Sequence, residues 1–203
     1  MRDYEELVLE HFPEVDKAQC IAIPQENALL GICIVVFSCA EDSRYFLSSA
    51  WKLEEIRRTV SRYTSPFVTV KVVNPQYEKI EVYCRVVLRD NPQRYESKVL
   101  RQLVVLAQNC IAPWYRKREI PDSGQSFSYK ELHARMVNHE DLLRLVLLEV
   151  DGVSLPDVDV ETEDHVFKGS KPWSILLPEI KIELLSPGDG IEKAEIGGNF
   201  IIK

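Results

Sequence analysis

The sequence predicts an α+β protein: two small helix-on-sheet units of ferredoxin-like size, residues 1–75 and 76–152, then an acidic loop and a C-terminal β-hairpin over 153–203. Three observations predict it. Apolar stripes at helical spacing alternate with strand-like runs as far as Val150. Asn74-Pro75 punctuates that stretch midway. From Val153 onward the chain changes in kind, to an acidic stretch and two extended runs, Ser174–Leu185 and Ile191–Lys203, joined by the strong turn Ser186-Pro187-Gly188-Asp189-Gly190. A hairpin of that kind is marginal alone in water and needs a surface to dock on.

In the first unit, Asp3 and Glu6 form a D-x-x-E variant of the capping box ahead of a helix. Tyr4, Leu7, Val8 and Phe12 share one helical face, and Pro13 stops it. Two strands follow, Gln19–Ile23 and Gly31–Phe37; the second is almost wholly apolar and is therefore expected at the centre of a sheet. Residues 38–48 read as a loop. A second helix, Ser49 to Tyr63, turns Leu53, Ile56, Val60 and Tyr63 inward and ends at Thr64-Ser65-Pro66, because a residue before proline is pushed out of the helical region. The strand Phe67–Val73 closes the unit.

The second unit opens on the clearest signal in the chain. In Tyr77–Arg89, Ile80, Val82, Cys84, Val86 and Leu88 alternate with Glu81, Tyr83, Arg85 and Arg89, so one face is buried and one is wet. A helix from Pro92 to Ile111, with Asn91-Pro92 as cap and first-turn proline, places Val99, Leu100, Leu103, Leu106, Ala107 and Cys110 on a core stripe. It is expected to end at Ala112-Pro113-Trp114. Ser128 and Glu131 form a second capping box, for a helix reaching Asn138. The dense aliphatic strand Leu142–Val150 ends on the turn pair Asp151-Gly152.

Apolar residues make up 45% and charged residues 28%, ordinary globular values. No stretch approaches the roughly 20 apolar residues of a spanning helix, and the acidic N-terminus does not read as a signal peptide. The net charge of −7 is concentrated: Glu149 to Asp164 holds seven acids and no base, while residues 85–118 are basic. With a pI near 5.2 and no stacking-aromatic motif, nucleic-acid binding is not expected. Five scattered cysteines without a C-x-x-C pair argue for a reducing compartment. Cys20, Cys33 and Cys84 lie within apolar runs, where free cysteine acts as a small hydrophobe.

Chemistry-bearing motifs are missing. His133 and His139 are six apart, not the i, i+4 spacing of paired ligands, and His11 and His165 stand alone. Neither a P-loop, a dinucleotide fingerprint nor a G-x-S-x-G elbow occurs; the single Gly-Gly, Gly197-Gly198, reads as a bulge. Asp157, Asp159 and Glu161 alternate, but no glycine stands where a calcium loop turns. Cys110 lies on a core stripe, where burial leaves a thiol inert, so its pairing with His133 makes a poor nucleophile. Trp51, Trp114 and Trp173 are expected to pin element junctions. No catalytic, cofactor-binding or metal residue is predicted, and no cofactor.

Four segments, in order, carry a resemblance: DYEELVLEHFPEV with KAQC; LEEIRRTVSRYTSPFVTVKVVNPQYEKIEV; LRQLVVLAQNCIAPW with Pro113-Trp114; and KPWSILLP, Pro172 to Leu176. Together the chain resembles the C-terminal portion of baseplate J-like proteins, although Tyr115–Phe127 lacks the family's glycine-rich character. The resemblance implies a non-catalytic wedge component of contractile phage tails and related injection systems. It implies packing against other wedge subunits and neighbouring hub or sheath proteins, with no nucleic acid and no membrane insertion. It also implies assembly in the bacterial cytoplasm into a tail-like baseplate particle. Family members are much longer, so the chain is expected to be a piece or a short member. The rival readings are a free-standing α+β module binding a small ligand, which needs a glycine-rich or polar loop at a sheet edge, and an enzyme built on Cys110 and His133.

Overall fold

The structure is a computed structural model that describes residues 1–24, 30–39, 45–88, 96–117, 119–137, 143–155 and 163–185. Helices and mixed sheets make it α+β, as predicted. By its internal contacts the chain forms two compact units, each assembled from several stretches. One comprises Met1–Glu78, Lys117–Gln125 and Gly169–Ile175; the other comprises Lys79–Arg116, Ser126–Lys168 and Leu176–Lys203.

The first unit is built on a sheet of β1 (Lys17–Pro24), β2 (Leu30–Phe37) and β3 (Thr69–Val73), in that order. β1 and β2 are antiparallel, from Lys17↔Phe37 to Pro24↔Leu30. β2 and β3 are parallel, from Gly31↔Thr69 to Val35↔Val73, and α2 (Ala50–Arg62) makes the crossover between them. Helix α1 (Arg2–His11) with its C-cap Phe12, and α2, contribute Val8, Phe12, Ile56 and Val60 to a core with Ala18, Cys20, Ile32, Ile34, Val36 and Val70. β2 is the middle strand, as its apolar run predicts, and every residue from Cys33 to Phe37 is fully buried.

Two start signals behave differently. Ser49 caps α2, its Oγ accepting from the Lys52 N–H at 3.3 Å. The predicted Asp3 box does not form. α1 begins at Arg2 behind Met1, so Asp3 already lies inside its first turn, and no side-chain cap bond exists. Glu5 instead accepts from the Cys20 N–H at 2.7 Å, tying the helix to β1.

The second unit's main sheet has the order β6–β4–β8, with β4 at Gln76–Leu88, β6 at Leu143–Val150 and β8 at Ser174–Leu185. The period-two reading of β4 holds: Ile80, Val82, Cys84 and Val86 are buried, while Lys79 and Glu81 are exposed. β4 and β6 are antiparallel from Val82↔Val150 to Leu88↔Leu143. A shift between Arg85 and Val86 leaves Val146 as an extra, bulged residue. Helices α3 (Glu96–Ile111) and α5 (Tyr129–Val137) cover the apolar face with Val99, Leu103, Ala107, Leu132 and Met136. Asp151-Gly152 turns β6 with φ of 49° and 77°, the two positive values a tight hairpin turn demands.

The third helix ends where Ala112-Pro113-Trp114 predicts, and a further short helix follows. α3 stops at Ile111, and a short helix α4 (Pro113–Lys117) starts with proline at its first position, where a missing N–H costs nothing. A small ladder of β5 (Ser126–Ser128) and β7 (Val166–Lys168) stacks Phe127 on Phe167 at 5.1 Å. The Asn91-Pro92 cap, His139, Asp157 to Glu161, the Ser186–Gly190 turn and the run Ile191–Lys203 with Gly197-Gly198 lie outside the described residues.

Tyr129 is a fully buried hydroxyl carrier. Its Oη donates to the Leu148 carbonyl at 2.5 Å and accepts from the Leu155 N–H at 3.4 Å. Tyr129→Phe strands both groups and is expected to cost about 1–3 kcal/mol. Urea unfolding checks this as a lower midpoint at unchanged slope.

Candidate assembly surface

In the first unit α1 and α2 cover one face of the sheet; the other face carries Lys17, Gln19, Cys33, Val35, Phe37 and Lys71. Two later stretches, 117–125 and 169–175, return to it. Lys17 pairs with Asp122 and donates to the Pro121 carbonyl at 3.2 Å. Gln19 Oε1 accepts from both the N–H and the Oγ of Ser123, each at 2.9 Å. Trp173 lies beneath two ammonium groups, Lys71 Nζ at 4.7 Å and Lys171 Nζ at 5.7 Å from its ring centre.

The returns also bind one another and β4. The Gly124 N–H donates to the Ser174 carbonyl at 3.0 Å, and the Gln76 N–H to the Trp173 carbonyl at 3.1 Å. Gly124 has φ of +73°, and a Cβ there would stand 2.7 Å from the Pro172 carbonyl oxygen. Only glycine fits that approach without a shift. Glu78 accepts from the Ser170 N–H at 2.9 Å, Ser170 Oγ at 2.6 Å and Ser174 Oγ at 2.5 Å. Ser123 and Ser174 are the buried polar residues among those described, and both are satisfied by this network.

Partial burial pushes the Glu78 carboxyl up, but the Ser170 and Ser174 hydroxyls and the Ser170 N–H outweigh it, so its pKa falls below 4.5. A depressed folded pKa adds stability that is fully present above the unfolded value and is lost as pH falls through the folded one. Glu78→Gln is therefore expected to lower stability near neutral pH, with the gap to wild type closing in acid. Unfolding free energies measured from about pH 7 to about pH 3 check the convergence.

The exposed large apolar residues fall mostly in this same unit. Met1, Leu9, Tyr45, Leu47, Trp51, Tyr63 and Phe67 belong to it, and Val166 to the other. The tryptophans separate. Trp114 is buried after Ala112-Pro113 and Trp173 pins a return, but Trp51 is 71% exposed, with only the neighbouring Lys52 Nζ over its ring at 5.5 Å among the described residues. Tyr63, predicted to face inward, caps α2 and is 62% exposed.

The residues singled out for chemistry have structural employment. Burial raises Cys84 to about 12 and Cys33 to about 11, and lifts Cys20 and Cys110 above the usual thiol range, so these four are thiols at neutral pH. Burial also lowers His133, which is neutral there. A thiolate–imidazolium pair has no support from either side. Among the described residues, no group of three or more His, Cys, Asp or Glu is placed to hold a metal ion.

Asp164, the end of the acidic run, serves α5. It accepts from Ser128 Oγ at 2.5 Å and the Lys130 N–H at 3.1 Å. The Ser128–Glu131 box forms by half: the Glu131 N–H donates to Ser128 Oγ at 3.1 Å, while the Glu131 carboxylate binds Arg135 at 2.6 Å instead of reaching back. The sequence gives no sign of either return segment, since their partners are single polar side chains about 100 residues away along the chain.

No protein-family model matches the sequence, and no curated protein matches it. Among solved structures, the fold is similar to that of a chain in the cryo-EM structure of the anti-feeding prophage (AFP) baseplate, 6-fold symmetrised. The two are 17% identical with a TM-score of 0.55, over 87% of this chain and 36% of that chain. This chain therefore spans about a third of the length of the solved chain it resembles.

Proposed function

We propose that this chain is a structural, non-catalytic part of the baseplate of a contractile injection system, and within it a wedge subunit of the baseplate J-like kind. The observation that carries the reading is the fold shared with a baseplate chain over 87% of its residues. The ordered sequence anchors support it, and two of them fall at joints of the fold. LRQLVVLAQNCIAPW ends at the α3–α4 junction, and KPWSILLP contains Trp173 and the Ser174 that Glu78 holds. The buried, protonated cysteines and the neutral His133 support a role without covalent chemistry. In this reading the chain assembles in the bacterial cytoplasm with other wedge subunits and with hub or sheath proteins. Among the described residues no helix is long and apolar enough to cross a membrane.

Tagged chain purified from its native cell tests the proposal. Recovery within a contractile particle, alongside tube, sheath and spike proteins by mass spectrometry, is the expected result. Recovery as a free protein, or with a small ligand that raises its melting temperature, contradicts it.

A further inference from the structure

Helix α2 turns Ile56 and Val60 into the core. On its opposite side Trp51, Arg58 and Arg62 stand at i, i+7 and i+11, within about 20° of one line at the helical repeat. Trp51 is 71% exposed and the Arg58 side chain 72%. Beyond the helix end the surface continues through Tyr63 and Phe67, 62% and 74% exposed. Glu54 is shared by Arg57 at 2.7 Å and Arg58 at 2.9 Å, which pull its pKa to about 2, and Lys52 Nζ, bonded to Glu14 and Glu55, lies 5.5 Å from the Trp51 ring centre. Arg62 has no ion-pair partner among the described residues. A solvated helix face is served by lysine and glutamate; tryptophan, tyrosine and arginine are the residues that dominate binding energy where surfaces meet.

The occupant such a line fits is acidic and apolar at once. The chain itself supplies one, in a molecule whose net charge of −7 opposes binding to nucleic acid or anionic lipid. In the sequence Asp157-Val158-Asp159-Val160-Glu161-Thr162-Glu163-Asp164, acids alternate with Val158, Val160 and Thr162. Carboxylates and methyl groups thus interleave along the run.

We propose that the Trp51–Arg58–Arg62 line of α2 is a docking surface for the acidic run 157–161 of a second copy of this chain. The donor and acceptor patches differ, so the contact is head-to-tail and propagates into a ring or a filament rather than closing as a two-fold dimer. The inference rests on the assembly reading only for why copies would meet; the charges and aromatics stand apart from it.

Sedimentation velocity on the full chain tests the proposal. Association is expected to grow with concentration and to weaken at least tenfold between about 50 and 500 mM salt. Arg58→Glu with Arg62→Glu, and separately Asp157→Lys with Asp159→Lys and Glu161→Lys, should each weaken it at least tenfold. Mixing the two charge-reversed proteins should restore it. Trp51→Ala, a change at an exposed site, should weaken it with an unchanged circular dichroism spectrum, and it decides the matter if a charge-reversed protein fails to fold. A wild-type chain that stays monomeric overturns the proposal, as does association indifferent to Trp51→Ala and charge reversal. Arginine-dependent binding to duplex DNA or phosphatidylserine vesicles in place of self-association also overturns it. A monomer here that is still recovered in a contractile particle would sink this contact and leave the baseplate reading standing.

Discussion

A strand that is apolar on both faces must be covered on both, and β2 imposes that demand on the first unit. Ile32, Ile34 and Val36 meet α1 and α2; Cys33, Val35 and Phe37 point the other way and are equally buried. Each side chain of this size withdrawn from water contributes about 1.5–3 kcal/mol, so an uncovered second face would forfeit much of a small unit's stability. Two helices fill one side. The bonds on the other side go to residues from 117–125 and 169–175, held at Lys17, Gln19 and Lys71. The discontinuity of the unit follows from that requirement.

The returns are held by a satisfied polar network. Glu78 accepts three donors from two serines, and Gln19 accepts two from one. Gly124 allows the two returns to approach through backbone alone. Networks of this kind are costly when half satisfied, so they specify one arrangement. The proposed assembly role has use for such rigidity, because a fixed surface loses less freedom on association.

What the sequence could reveal follows from the range of the forces involved. The alternation from Ile80 to Val86, the apolar run of β2, the Ser49 and Ser128 starts and the Asp151-Gly152 turn depend on neighbours in the chain, and all were legible. Asp3 misled because several polar residues crowd the first turn and the chain begins its helix two residues earlier, at Arg2 rather than Tyr4. Ala112-Pro113 marked the end of α3 correctly but hid the start of α4, because proline both ends helices and begins them. Trp51 and Tyr63 could not be placed by spacing, since a residue type favoured in cores and at interfaces looks alike in both roles. The network of Lys17, Gln19, Glu78, Ser123 and Ser174 was invisible for a different reason: single hydrogen bonds across a hundred residues leave no periodic trace.

Peptide-level mass spectrometry of cysteine alkylation tests the double covering of β2 most directly. Cys33 lies on the face met by the returns and Cys20 on the helix face, both buried. The account predicts slow labelling of both in the native chain. In a Gly124→Ala, Gln19→Ala variant, it predicts a labelling rate at least tenfold higher at Cys33 with Cys20 still protected. Equal acceleration of both cysteines, or of neither, would contradict it.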